Sequence, residues 1–151
     1  RSIENLRPWP WVTMMEGDGL ALSGGPFDAI LLNAGVTHVQ PHWLETIAPG
    51  GRMLVPLTAV AASPLGPAMP NIGKGLLMLI VRTDDPVVFD ARPVTFVAIY
   101  SGQGLRDGAI NAKLGESMKK MPFAPVKRFR LDPHEPAPTC WMHDATGCWS
   151  L

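Results

Sequence analysis

Residues 26–35 read PFDAILLNAG, and the interpretation of this stretch decides the fold. Ala29, Ile30, Leu31 and Leu32 make a nearly continuous apolar run, entered through Phe27 and interrupted by Asp28. A run of that kind, without polar alternation, suits a strand covered on both faces, as in parallel α/β sheets. Downstream, Pro41 suits the first position of a helix, where its missing N–H costs nothing. Val39, Trp43, Leu44 and Ile47 share one helical face. Pro49-Gly50-Gly51 then stops the helix, and Arg52–Leu57 supplies the next buried strand. Strand, helix and strand with short joints form a βαβ unit, so Phe27–Asn33 and Arg52–Leu57 are expected side by side and parallel.

Working outward from this unit, Val12–Met15 reads as a short strand closed by the turn Gly17-Asp18-Gly19. On the other side, Ala59–Gly75 is rich in Pro, Gly, Ala and Ser and reads as a long loop. Leu76–Arg82 and Val94–Tyr100 follow as an antiparallel pair of strands. Asp107 can cap a helix from Gly108 to Met121, with Ile110, Leu114, Met118 and Met121 as its buried stripe and Pro122 as its stop. Lys127–Leu131 reads as an edge strand. Thr139–His143 and Gly147–Leu151 then pair through Asp144-Ala145-Thr146, with Trp141 opposite Trp149.

Composition narrows the function classes. The chain has 151 residues, 46% of them hydrophobic, which is enough for one domain with a substantial core. Thirteen basic residues balance thirteen acidic ones, which argues against a nucleic-acid or anionic-membrane surface. Two cysteines do not make a secreted disulfide framework. No apolar run approaches the ~20 residues of a membrane span, and no signal-peptide pattern opens the chain. A soluble, cytoplasmic protein is expected. The chain opens Arg-Ser-Ile without methionine, and ten residues precede Trp11.

Four stretches, VTMMEGDG (12–19), PFDAILLNAG (26–35), LETIAPGGRMLVPL (44–57) and PVTFVAIY (93–100), together resemble the second half of the protein-L-isoaspartate O-methyltransferase family. The resemblance runs from about Ile3 to Leu105. FDAI and APGGRMLVP are general signals of class I methyltransferases, and the acidic turn and PVTFVAIY point to this family. It implies an α/β, Rossmann-like methyltransferase sheet ordered 3-2-1-4-5-7-6 with an antiparallel last strand, of which this chain supplies strands 3 to 7. It also implies S-adenosyl-L-methionine as methyl donor and a protein or small-molecule acceptor. Residues 1–105 are then the C-terminal half of the methyltransferase domain. Residues 106–151 are a helix plus β-hairpin extension packed on the same domain, and HEPAPTCWMHDATGCWSL (134–151) resembles a tail of bacterial relatives.

The same resemblance marks candidate cofactor residues. The Asp18-Gly19 turn lies where the family approaches adenine; an ordinary turn after a strand is the plain alternative. Asn33, Ala34 and Gly35 follow a strand whose C-terminal end faces ligands in open α/β sheets, although a strand-to-helix turn explains them equally. Tyr100, Ser101 and Gln103 fall where the family closes its pocket with a threonine and a glutamine, but Tyr100 replaces the threonine and the glutamine offset differs. The family's acceptor-side serine has no counterpart in this chain, so no catalytic residue is assigned. Val55-Pro56-Leu57-Thr58 and the Pro-rich 59–75 stretch depart from the family on the acceptor side, leaving the acceptor open between an isoaspartyl carboxylate and another oxygen.

Other polar groups read as structural. Asp28 sits at the wrong end of its strand for a ligand. His38 and His42 flank a helix start as solvated or capping groups, and Lys119, Lys120, Lys127, Arg128 and Arg130 make a solvated face. Cys140, His143 and Cys148, with His134 nearby, match no strong zinc pattern. Hairpin packing of two diagonal cysteines accounts for them, and no metal is expected. Without its first strands, Phe27–Asn33 becomes an exposed apolar edge, so a homodimer through that edge is expected. Two other classes remain: a non-catalytic, self-associating half-fold, and an oxidoreductase domain, which the Asp18 turn and the lack of a dinucleotide fingerprint disfavour.

Overall fold

The structure is a computed structural model and describes residues 2–21, 23–60, 69, 71–122 and 125–151. Its frame is one mixed, seven-stranded sheet ordered β1-β2-β3-β4-β5-β7-β6. The strands are β1 (Phe27–Leu31), β2 (Ile47–Ala59), β3 (Ile72–Arg82), β4 (Val88–Tyr100), β5 (Arg128–Arg130), β6 (Cys140–Asp144) and β7 (Gly147–Ser150). The α-helices are α1 (Ser2–Leu6), α2 (Pro41–Glu45) and α3 (Gly108–Lys120). None of the helices among the described residues is long and apolar enough to cross a membrane.

The expected parallel pair is present. β1 runs parallel to β2, with Ala29 opposite Arg52, Ile30 opposite Met53 and Leu31 opposite Leu54. The parallel track continues past β1: the Leu32 amide donates to Leu54, and Val36 forms a bridge with Leu57. The core lies on one face of the central strands. Met53, Val55 and Leu57 of β2 stand opposite Ile80, Met78 and Leu76 of β3, and all six are buried. Trp43 and Leu44 of α2 and Leu114 of α3 complete that layer.

Several expectations change. Val12–Met15 forms no strand: it is irregular and exposed, with Met15 79% accessible. Its β-forming residues lack a neighbouring strand to supply a ladder, and β propensity without a partner does not hold a strand. The sheet order also differs from the 5-7-6 arrangement, because β3 joins β2 directly and β4 follows beside it. β2–β3 and β3–β4 are both antiparallel, the second pair joined by the short connection 83–87. The helix starting at Pro41 stops at Glu45, where Thr46 Oγ1 donates to the Trp43 carbonyl. Pro49-Gly50-Gly51 therefore does not end a helix. It sits inside β2 as an irregularity, between the pairs Phe27–Ile47 and Ala29–Arg52. The long loop is shorter than read, because Ala59 pairs with Lys74 and Thr58 with Gly75; residues 61–68 and 70 of that reading lie outside the described residues.

Asp107 caps α3 as expected, its carboxylate accepting from the Ile110 amide at 2.8 Å. Ile110 and Leu114 are buried, but Met121 is 40% exposed and leaves the stripe. β5 is an interior strand, not an edge, held by β4 on one side and β7 on the other. The β6–β7 hairpin forms, but Trp149 faces Met142 and not Trp141. An extra residue at Trp141 bulges β6 between Cys140 and Met142. Trp141 turns its indole N–H to the Met121 carbonyl, while Trp149 packs on Phe129 with ring centroids 4.4 Å apart.

Candidate functional site

The three candidate segments meet at one end of the sheet. After β1, Asn33-Ala34-Gly35 crosses toward the end of β4. The Gly35 amide donates to the Tyr100 carbonyl at 2.8 Å, and the Gly102 amide donates to the Gly35 carbonyl at 3.1 Å. Gly35 also bridges Ser101 in parallel. The structure thus brings Asn33–Gly35 and Tyr100–Gln103 together, through backbone rather than side chains. Asn33 and Gln103 are exposed, and Tyr100 is 71% accessible.

Gly35 is not spare room for a ligand. A Cβ there would stand 2.6 Å from Thr58 Oγ1 and 3.0 Å from Arg106 Nη2, so the space is filled by protein. Small size at this position serves the crossing of two chain segments. The glycines of the Asp18 turn behave differently, since a Cβ on Gly17 or Gly19 would meet nothing within 4 Å. Asp18 Oδ1 accepts from the Leu20 amide at 2.9 Å, and Gly19–Ala21 closes as one 3-10 turn. The Trp43 indole donates to the Gly19 carbonyl at 3.1 Å and ties this turn to α2. A Cβ on Gly104 would lie 3.0 Å from Leu20, so the turn also packs beside the Tyr100–Gln103 segment.

One residue that holds this end together escaped the sequence reading. Arg106 Nε donates to Ser101 Oγ at 2.6 Å, and its Nη1 and Nη2 donate to the carbonyl and hydroxyl of buried Thr58, each at 2.7 Å. One guanidinium therefore joins the ends of β2 and β4 through fixed, forked donors. Its partners here are neutral, and burial lowers its pKa from the usual arginine range. A single arginine outside any apolar pattern carries no signal in sequence; only the fold shows what it spans.

The tail gathers a second set of groups. His134, Cys140, His143 and Cys148 each offer a ligand atom, and these atoms all lie within 4.8 Å of one another. Cys140 and Cys148 are diagonal neighbours on the hairpin, as expected, since Cys140 faces Ser150 and Cys148 faces His143. Both thiols are free, and Cys148 is fully buried. Burial opposes ionisation of Cys140, but hydrogen bonds from Cys148, the Ala137 amide and both histidines outweigh it and lower its pKa to about 6. Burial and the bond to Cys140 push Cys148 up to about 12.

Comparison with known proteins identifies relatives. The sequence model of the protein-L-isoaspartate(D-aspartate) O-methyltransferase family matches residues 2–66. A protein-L-isoaspartate O-methyltransferase 1 of Nitrosospira multiformis is 40% identical over 79 residues, covering 51% of this chain and 29% of that protein. One of Anaeromyxobacter sp. is 34% identical over 97 residues, covering 62% of this chain and 41% of that protein. A protein-L-isoaspartate O-methyltransferase of Dechloromonas aromatica is 51% identical over 35 residues, 23% of this chain and 16% of that protein. The chain thus spans less than half the length of these relatives. The α/β sheet, with the parallel pair β1–β2 in the matched segment, is consistent with a Rossmann-like methyltransferase fragment. Over residues 2–66 the chain is similar to the protein-L-isoaspartate O-methyltransferase family, and its relatives of that name match it over part of their length.

Proposed function

We propose that this chain is part of an S-adenosyl-L-methionine-dependent O-methyltransferase acting on a carboxylate, with isoaspartyl residues of proteins as the first acceptor to test. The observation that carries the reading is the convergence of three segments at the carboxyl end of β1. These are Asp18-Gly19 and Asn33–Gly35, within the stretch matched to the family of that name, and Tyr100–Gln103, which lies beyond it in sequence. In open α/β sheets this is the end at which ligands bind.

The residues fit one wall of a cofactor site. Asp18 spends one carboxylate oxygen on its own turn, and the glycines on either side of it stand open to a flat ring. Ala34 packs beside Gly102, and Arg106 holds the Ser101 end. When bound, the sulfonium donor supplies an activated methyl group. The protein's part is to orient donor and acceptor, since a carboxylate nucleophile is already anionic and positioning supplies most of the rate. We assign residues 1–105 to this methyltransferase unit and 106–151 to an extension of it.

A site with one wall needs a second, and the unpaired side of β1 is the place for it. A further segment of a longer chain, or a second copy pairing there, would complete the crevice. Calorimetric titration of S-adenosylhomocysteine tests the proposal, using this chain and a longer product of the same gene. Binding by the longer product, reduced at least tenfold by Asp18→Ala, is expected. If neither protein binds, the enzyme reading is lost, and a non-catalytic half-fold that associates through β1 takes its place.

A further inference from the structure

We propose that His134, Cys140, His143 and Cys148 form a structural zinc site that fastens the C-terminal tail to the sheet. The pattern is His-x5-Cys-x2-His-x4-Cys, all within 15 residues of sequence. Strand alternation alone would separate Cys140 from His143, which are an odd number of residues apart. The bulge at Trp141 reverses that: Cys140 pairs with Ser150 and His143 with Cys148, so both fall on the face that holds Cys148. An inserted residue in a hairpin serves to re-aim a side chain, and here it brings three donors to one face.

The fourth donor comes from outside the hairpin. His134 lies in the irregular stretch between β5 and β6, which carries Pro133, Pro136 and Pro138. Its Nε2 stands 3.7 Å from Cys140 Sγ, and His143 Nδ1 stands 4.0 Å from the same sulfur. Zinc bonds of about 2.3 Å to sulfur and about 2.0 Å to nitrogen place tetrahedral neighbours roughly 3.3–3.8 Å apart, so a small inward shift closes the site. His134 Nδ1 hydrogen-bonds the Asp132 carbonyl at 2.7 Å. That bond fixes the ring with its proton on Nδ1 and its Nε2 lone pair toward the sulfurs, the supporting contact that zinc-bound histidines characteristically make. The two imidazoles meet edge to face at 4.7 Å, converging on one point without stacking. The Ala137 amide donates to Cys140 Sγ at 3.4 Å, further support for a sulfur carrying negative charge.

Two thiolates and two imidazoles in tetrahedral reach select zinc over magnesium or calcium, which take oxygen ligands. Four protein donors leave no open position, so the role is structural. The metal would tie the Pro-rich connection that carries His134 to the β6–β7 hairpin that carries the other three donors.

The test uses the whole chain, purified under reducing conditions from zinc-supplemented cells. Mass spectrometry of metals is expected to find about one zinc per chain, and cobalt substitution to give the intense visible bands of a tetrahedral dithiolate site. Chelation is expected to lower the Tm by roughly 10 °C, as for a ligand held near a thousand times its Kd in a domain of this size, and added zinc to restore it. Cys140→Ser/Cys148→Ser abolishes zinc uptake. His134→Ala, in an irregular segment where folding is least at risk, weakens it at least tenfold. Less than a tenth of an equivalent in folded, reduced wild-type protein overturns the proposal. So does unchanged zinc affinity in either variant, or a Cys140–Cys148 disulfide in protein isolated without air.

Discussion

Gly35 shows how a small residue can look like a binding feature and prove to be a packing one. Its missing side chain is the room in which Thr58 Oγ1, Arg106 Nη2 and Ile99 meet. Gly35→Ala is therefore expected to destabilise the fold by about 1–3 kcal/mol, as overpacking does, seen as a lower urea midpoint with an unchanged slope. Gly19→Ala is the contrasting case. It has open space and no positive φ, so it is expected to leave stability unchanged while crowding the candidate adenine side. Asp18, Gly19 and the 33–35 stretch were legible because turn chemistry and a strand end are local signals. Arg106 was not, because its three partners come from residues 5 to 48 positions away.

At the scale of elements, the tail hairpin was legible in outline and wrong in register. Alternating apolar residues on either side of Asp144-Ala145-Thr146 gave two strands, and both formed. The bulge at Trp141 left no mark, because its cause is tertiary: the indole reaches the Met121 carbonyl beyond α3. The four donors were visible as a group in the sequence, but their spacing matches no strong zinc pattern, and simple alternation parts Cys140 from His143 where the bulge joins them. Gly147 sets the return turn at φ +143°, and a Cβ there would meet the Phe129 ring and the Arg130 carbonyl, each at 2.8 Å. Gly147→Ala is expected to cost about 1–3 kcal/mol through clash and strain together. It should also weaken zinc uptake, because Cys148 follows directly; thermal melts with and without zinc measure both effects. The β5 strand was misplaced for a related reason. Its three residues look like a polar edge, yet Phe129 is buried between Phe89 and Trp149.

For the whole molecule, the sequence revealed the parallel pair and the two long antiparallel strands, since each carries a dense apolar run. The order of strands was not readable in this way. Which neighbour β3 takes depends on loop lengths and on α3, and neither shows in periodicity. Val12–Met15 failed for want of a partner, which no local propensity reports. β1 is the exposed edge that was expected, with Leu31 69% accessible. If copies pair there, Leu31→Lys is expected to shift the sedimentation profile to monomer without lowering the Tm, since one charge on an edge strand discourages pairing at little cost.

The seven strands leave two unequal borders. One is β1, with Leu31 exposed; the other is β6, kinked by its extra residue and, with zinc bound as proposed, tied back by histidine and cysteine. A ribbon that is adhesive along one margin and blunted along the other can close on a twin but cannot add a third member. If copies of this polypeptide pair at β1, a blunted β6 leaves no second ladder to extend, and a finite pair rather than a fibre is the expected product.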